Sequence, residues 1–549
     1  MTWSLLIRNG RVLDGTGAPA VASDVAVDDD RIAAIGPALA GSARRVIDAE
    51  GLLVTPGFID IHSHSDFFLL DCPSAESKVR QGVTTEVVGM CGFSPAPVGS
   101  GIRRAQLEQM GSTLGAQVST AWTTFAEFLS HLRERPLGVN VVPFVGQGAL
   151  RLAAVGPDNR PASATEADAM RDLLREAMEA GAFGFSTGLV YPPGSYATTD
   201  ELVALARAMS GSRGLYFSHI RGEAATLEVA VAEAISIGEQ AGVPVEIAHI
   251  KAAGRENWDR LDAALAQIDA ARSRGIDVTA DVYPYNAGST VMINLLPGWA
   301  LDGGLTALLG RLAQPELRRR LCDECLRPGG RWQTPSGIVG WEEVMVATSS
   351  DPTEAGRTIA DLAQQRNLDG ASTMLDLIQR ETGAVTMVRF NQSEENVVKA
   401  LRHPAVMVGS DSIALTRGSG PHRGRPHPRT YGTFPRVLGV YVRERGVLTW
   451  EEAVHKMTGL PAARLGLRSR GLLRPQAFAD LAILDPTTVK DEATFSDPHQ
   501  HPRGIPYVIV NGHVIVDAGA TREAPAGRLL SARDEQERQL GGGNTNRAG

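Results

Sequence analysis

Two histidines, His62 and His64, stand two residues apart at the polar end of an apolar run, PGFIDIHSHSD. Alternate side chains on a β-strand point the same way, so the pair projects together, with Asp60 one step behind. Two imidazoles on one face at the end of a buried strand can begin a divalent metal site. The pair alone is not specific, because histidines satisfied by ordinary hydrogen bonds give the same spacing about as often. Other segments decide the matter. TTEVVGMCG offers Cys91, and GLYFSHIRG offers His219 with Arg221 on the same face. PVEIAHIKAAG offers His249 with Lys251 two further on, DVTADVYPY offers Asp281 and Tyr283, and AVMVGSDS offers Asp411. The set His62, His64, Cys91, His219, His249 and Asp411 suits zinc, which takes imidazole, thiolate and carboxylate without redox chemistry. Six ligands exceed one tetrahedral site. Two adjacent ions with a bridging thiolate fit, and so does one tightly held zinc beside a second, weaker position.

These residues need elements that bring them together. From residue 56 onward, apolar strand-like runs alternate with helix-like segments, the pattern of parallel βα units. Eight runs qualify: GFIDIHSH, TTEVVGMCG, VNVVPFVGQG, FGFSTGLVY, GLYFSHIRG, PVEIAHIKAAG, DVTADVYPY and AVMVGSDS. Between them lie amphipathic segments such as SATEADAMRDLLREAMEAG and ATLEVAVAEAISIGEQAG, the second with a helix stop at Gly242. The expected fold is α/β, a (β/α)8 TIM-like barrel over residues 56–468 with its site at the C-terminal strand ends. A basic, helical stretch at 291–347 reads as a small inserted subdomain. Residues 1–55 and 469–530 each carry short strands and an Asn-Gly turn, at Asn9-Gly10 and Asn511-Gly512. The two ends are expected to form one composite β-sandwich. The Gly-rich polar end, 531–549, reads as a disordered tail.

Composition narrows the function. The 549 residues exceed one ordinary hydrophobic core. With 43% hydrophobic and 21% charged residues the chain is globular, and a net charge of -8 argues against a nucleic-acid partner. No apolar stretch is long enough for a membrane span, and MTWSLLIRNGRVLDG is not a signal sequence, so a cytoplasmic location is expected. Four cysteines fit a reducing compartment. Cys322 and Cys325 form a Cys-x-x-Cys pair with no second pair at zinc-ribbon spacing, and read as neighbouring thiols on a helix.

The motifs PGFIDIHSHSD, VVGMCGFSPAP, STGLVYPPGSYATTDEL, SHIRGE, EIAHIKAAG, DVYPYNAGST, MVGSDS and HPRTYGTFPRVLG together resemble the D-aminoacylase (N-acyl-D-amino-acid deacylase) family of the amidohydrolase superfamily. The resemblance covers residues 56–440 and implies the following roles. Cys91, His219 and His249 resemble the ligands of the tight zinc, and His62 and His64 those of the weaker position. Asp411 resembles the catalytic proton shuttle that can reach the metal. Lys251, Tyr283, Ser289 and Arg429 resemble the substrate-binding residues. In spacing alone Arg429 is one loop arginine beside Arg417, Arg423 and Arg425; the HPR motif singles it out. The fourth run has no lysine at its end, where many superfamily members carry a carboxylated bridge, and Cys91 takes that place.

The implied chemistry is hydrolysis of the linear amide of a small-molecule N-acyl-D-amino acid by metal-activated water, with Tyr191 or a histidine aiding the oxyanion. No further cation stands in a motif suited to an acidic side chain, so an apolar side chain is expected. The alternative is a cyclic amidase of hydantoinase or dihydroorotase type, against which the missing lysine and the Cys91 motif argue. Eighteen positions separate Asp411 from Arg429, longer than the family spacing. The tip of that loop, including His422, receives no role.

Overall fold

Eight parallel strands close around a central axis in the computed structural model. It describes residues 2–116, 119–209, 211, 214–326, 340–416, 424–522 and 524–541. The strands are β1 (Phe58–Asp60), β2 (Val83–Val88), β3 (Asn140–Pro143, continued by Val145–Gly146), β4 (Gly184–Gly188), β5 (Leu215–His219), β6 (Val245–Ile247), β7 (Val278–Val282) and β8 (Val406–Val408). Each pairs in parallel with the next, from β1–β2 through β7–β8. The ring closes where Ser63 bridges Ser412, with Asp411 N donating to the His62 carbonyl at 2.8 Å. All of these strand residues are buried, the mark of a parallel sheet covered on both faces.

The intervening helices follow their sequence signals. Ala164–Ala180 starts with a capping box of Ser163 and Glu166 and stops at Gly181, whose φ is 115°. Leu227–Ala241 stops at Gly242, as expected, in the left-handed conformation.

A buried ammonium ties the closing seam. Lys78 Nζ donates to Asp60 Oδ2 (2.8 Å), Ser410 Oγ (2.7 Å) and Ser412 Oγ (2.9 Å), and neither Lys78 nor Asp60 is exposed at all. Asp60 therefore does not join the histidines as its strand register suggested. Its carboxylate also accepts from Ser410 N at 2.8 Å and locks β1 to the loop that carries Asp411. Replacing Lys78 with methionine fits the volume but strands the Asp60 charge in the interior. Urea unfolding is expected to show a loss of about 3 kcal/mol, and a loss below about 1 kcal/mol would contradict the role assigned to this ion pair.

The chain ends meet in one nine-stranded sheet. Strand Thr2–Val12 pairs along its first half with Ser42–Asp48 and at its end with Leu53–Pro56, which in turn pairs with Leu481–Leu484. Leu5, Ile7, Val25 and Val27 from one end pack in a single core with Leu481, Ile483 and Ile509 from the other. Residues 532–541, expected to be disordered, form a helix that begins where Ala532 N donates to the Gly181 carbonyl.

The insertion differs from its expected extent. It runs to Arg389 rather than ending at 347, and it is not purely helical. Gly288–Val291, Val344–Val346 and Thr386–Arg389 form a three-stranded antiparallel sheet. That sheet and four helices share a core of residues such as Met292, Leu308, Leu321, Leu362, Met374 and Met387. Cys322 and Cys325 lie on one of these helices, Pro315–Leu326, with Cys325 buried in the same core. No helix among the described residues is long and apolar enough to cross a membrane.

Candidate metal centre and substrate cleft

The ligand candidates leave their strands just beyond the last paired residue. Cys91, His249 and Asp411 follow β2, β6 and β8 by two or three residues, and each takes a left-handed backbone, with φ of 52°, 32° and 49°. Non-glycine residues pay for this conformation, on the order of 1 kcal/mol or more each, and such outliers gather at functional sites. Here the turn swings three side chains over the barrel axis. His62 Nε2 lies 3.3 Å from Cys91 Sγ and 3.4 Å from Asp411 Oδ1, and Cys91 Sγ lies 3.5 Å from His249 Nε2. The four donor atoms all lie within 4.8 Å of one another. His64 joins through Nε2, 3.1 Å from Asp411 Oδ1. The His219 ring packs edge-on to His249 with centroids 4.4 Å apart. All six expected ligands thus reach one mouth.

The absence of a lysine at the end of β4 has a steric cause. A Cβ at Gly188 would fall 2.0 Å from the Cys91 carbonyl oxygen. The Cys91 turn occupies the space that a β4 side chain would need.

Second contacts orient the ligands. His62 Nδ1 faces the buried Asp281 carboxylate at 3.3 Å, so Nε2 presents its lone pair to the cluster. His249 Nδ1 is shared between Glu223 (3.1 Å) and Lys251 (2.8 Å). Glu223, which sequence reasoning missed, also approaches His219 Nε2 at 3.5 Å. Its signal was the final residue of SHIRGE, four after His219. Arg221, expected on the same face as His219, instead turns to Glu233 (2.9 Å) and loop carbonyls.

The electrostatics suit a metal. Burial opposes the Cys91 thiolate, but the His62 and His249 imidazoles outweigh it and hold the thiol well below its usual pKa. Burial likewise opposes the Asp411 carboxylate. Arg429, then His249 and His62, more than offset it and keep Asp411 ionised. Neither ring nitrogen of the buried His219 makes a hydrogen bond of good geometry, Nε2 having the Glu223 carboxylate at 3.5 Å, which leaves the ring able to take a further ligand.

A cleft of about 100 Å³ opens beside this cluster, lined by His64, Tyr191, Lys251, Tyr283, Ser289 and Arg429 among others. Arg429 Nη1 reaches Asp411 Oδ2 at 2.8 Å, and Nη2 donates to the Ser289 carbonyl at 3.1 Å. Its position comes from His427: Nε2 donates to the Ala287 carbonyl (3.0 Å), and Nδ1 accepts the Arg429 N–H (3.0 Å). Lys251 Nζ donates to Glu223 at 2.5 Å. The Tyr283 hydroxyl accepts from Gln392 at 2.6 Å, and its ring lies under Arg429. Tyr191 shares a hydrogen bond with Thr290 at 2.9 Å, and burial holds its hydroxyl protonated. All five expected substrate residues therefore line one cleft. Arg417, Arg423 and His422 lie outside the described residues.

A closed parallel barrel with histidines, a thiol and a carboxylate at its C-terminal mouth is the architecture of a hydrolytic enzyme class. The sequence matches the amidohydrolase family model over residues 45–308 and 341–516. It is 38% identical to a D-aminoacylase of Alcaligenes xylosoxydans xylosoxydans over 96% of this chain and 98% of that protein. It is 37% identical to an N-acyl-D-aspartate deacylase of the same organism, over 96% of this chain and 95% of that one. The crystal structure of an N-acyl-D-glutamate deacylase from Bordetella bronchiseptica, complexed with zinc and a phosphonate inhibitor, matches with a TM-score of 0.81 and 36% identity, covering 97% of this chain and all of that one. The chain belongs to the amidohydrolase family and, within it, to the D-aminoacylase group.

Proposed function

We propose that the protein is a zinc-dependent deacylase that hydrolyses the amide bond of N-acyl-D-amino acids to a carboxylate and a free D-amino acid. The observation that carries this reading is the cluster of His62, Cys91, His249 and Asp411, with no two donor atoms more than 4.8 Å apart, at the head of a cleft that presents Lys251 and Arg429.

The donor set fits zinc. Bonds of about 2.0–2.3 Å in a tetrahedron put neighbouring ligand atoms roughly 3.3–3.8 Å apart. The His62–Cys91 and Cys91–His249 separations of 3.3 and 3.5 Å match that edge. Cys91, His219 and His249 would hold the tight ion, and His62 and His64 a weaker second. Bound there, zinc would supply Lewis acidity toward the amide carbonyl and lower the pKa of water.

The chain's own residues do the rest. Asp411 faces the cluster and the cleft at once, so it is placed to take a proton from the attacking water and return it to the leaving nitrogen. Arg429 and Lys251 bind the substrate α-carboxylate, the first with a guanidinium fork suited to two oxygens. Tyr191, protonated and beside His219, donates toward the developing oxyanion. Tyr283 and Ser289 complete the carboxylate end.

Turnover of matched N-acetyl-D- and N-acetyl-L-amino acids, with zinc measured on the same sample, tests the reading. Hydrolysis of D-substrates with at least one zinc per chain is expected. Activity confined to L-substrates or to cyclic amides overturns it.

A further inference from the structure

The geometry points to Glu223 as a positioning residue that serves both halves of the site. It fixes the ring of His249 for zinc, and in doing so frees the Lys251 ammonium for the substrate carboxylate. This deepens the reading above and rests on it. Glu223 lies in the loop after β5, four residues past His219, and is buried. Its backbone carbonyl accepts from Ala253 N at 2.7 Å, which ties this loop to the one that follows β6. One carboxylate oxygen, Oε1, then stands 2.5 Å from Lys251 Nζ, 3.1 Å from His249 Nδ1 and 3.5 Å from His219 Nε2.

His249 Nδ1 has two neighbours that demand opposite states. Glu223 can only accept a hydrogen bond from Nδ1–H, whereas Lys251, 2.8 Å away, can only donate to an Nδ1 lone pair. A neutral imidazole carries one proton. If Lys251 donates to Nδ1, the proton sits on Nε2, which faces Cys91 Sγ at 3.5 Å and cannot then take a metal. If Nδ1–H donates to Glu223, Nε2 offers its lone pair to the cluster. Glu223 therefore selects the tautomer that metal binding at Nε2 requires. Lys251 responds to the same choice. Its three N–H groups find Glu223, the His249 carbonyl at 3.0 Å and Nδ1. Once Nδ1 bears the proton, the third N–H loses its acceptor and turns to the cleft, which Lys251 lines beside Tyr283 and Arg429. A substrate carboxylate there replaces the lost partner. The metal cluster and the carboxylate end are thus coupled through one side chain. Donors of His219, Glu223 and His249 lie within 4.8 Å of one another, close enough to bracket a further metal. The Lys251 ammonium, held against Glu223 and His249, takes that place.

The test measures zinc affinity of the full chain by competition with a chromophoric chelator, a readout independent of turnover. KM for N-acetyl-D-amino acids is measured beside it on zinc-replete protein. In Glu223→Gln the neutral amide is a weaker acceptor for Nδ1–H and can donate to Nδ1 instead. Its zinc Kd is expected to rise about 10- to 100-fold, and its KM about 10-fold. Lys251→Met removes the competing donor, so its zinc Kd is expected to stay at or below the wild-type value although its KM rises. Opposite responses from two residues that touch one ring distinguish a tautomer choice from a general loosening of the site. Unfolding temperatures check that each variant is folded. If Glu223→Gln does not fold, its combination with Lys251→Met removes both charges of the pair, and the zinc Kd of that double variant is expected to exceed that of Lys251→Met alone. A wild-type zinc Kd in folded Glu223→Gln, an equal loss of zinc affinity in Lys251→Met, or a double variant that matches Lys251→Met overturns the inference and leaves the deacylase reading intact. Failure of the wild-type protein to hydrolyse any N-acyl-D-amino acid overturns the deacylase reading instead. The Lys251 half of the inference falls with it, and the zinc affinities still decide the His249 half.

Discussion

Asp411→Asn is expected to lower kcat by about 10³-fold while the zinc content stays at its wild-type value. The substitution keeps the shape and one acceptor oxygen, so the contact with Arg429 at 2.8 Å has a partner left. What it removes is the ability to take and return a proton. Asp411 is well sited for both transfers: Oδ1 lies 3.4 Å from His62 and 3.1 Å from His64, while Oδ2 faces Arg429. One carboxylate thus touches the proposed metal ligands on one side and the proposed carboxylate binder on the other. KM is not expected to rise, because Arg429 loses a charged competitor for the substrate carboxylate. A fall in kcat with KM held or lowered is the pattern of a group that acts in the transition state. Near-wild-type kcat in a zinc-replete Asp411→Asn would remove the proton-shuttle role.

The sequence made much of this site visible for a physical reason. A parallel barrel buries its strands on both faces, so each strand is an apolar run, and the first polar residue past the run marks the functional rim. Cys91, His219, His249 and Asp411 each stand at such a transition. The barrel order follows from the same alternation of runs and helices. The same reasoning failed where side chains depart from the simple alternation of a strand. Asp60 was expected beside His62 and His64, but the strand ends at Asp60, and the buried Lys78 claims its carboxylate. The left-handed turns at Cys91, His249 and Asp411 have little local signal, since none is glycine and only the aspartate and histidine are of types enriched in that conformation. Tertiary packing imposes them.

The insertion was the least legible part. Its strands Gly288–Val291 and Thr386–Arg389 pair across almost a hundred residues of chain, and no periodicity announces such a register. Its helical and basic texture dominated the reading. Glu223 was missed for a different reason. It lies four residues past His219 in a loop, and only the fold turns it back onto His249 and Lys251.

Loss of the Cys91 thiolate is expected to have the largest effect on the metal. After dialysis against a chelator, Cys91→Ala should hold less than about 0.1 zinc per chain and turn over at background. His64→Ala should keep about one zinc. The geometry gives the reason for the contrast. Cys91 Sγ sits between His62 Nε2 at 3.3 Å and His249 Nε2 at 3.5 Å, whereas the close contact of His64 Nε2 is with Asp411, at 3.1 Å. Removing the sulfur takes away both a ligand and the negative charge that the buried imidazoles surround. Stripping zinc from the wild-type protein should also cost about 3 kcal/mol or more of stability, since a ligand at 100 times its Kd contributes roughly that much. The same treatment should leave the unfolding of apo Cys91→Ala unchanged. If Cys91→Ala instead retained stoichiometric zinc through dialysis, the tight position would have to be reassigned to the histidines. The left-handed turn at Cys91, and the exclusion of a side chain at Gly188 that goes with it, would then need an explanation other than metal binding.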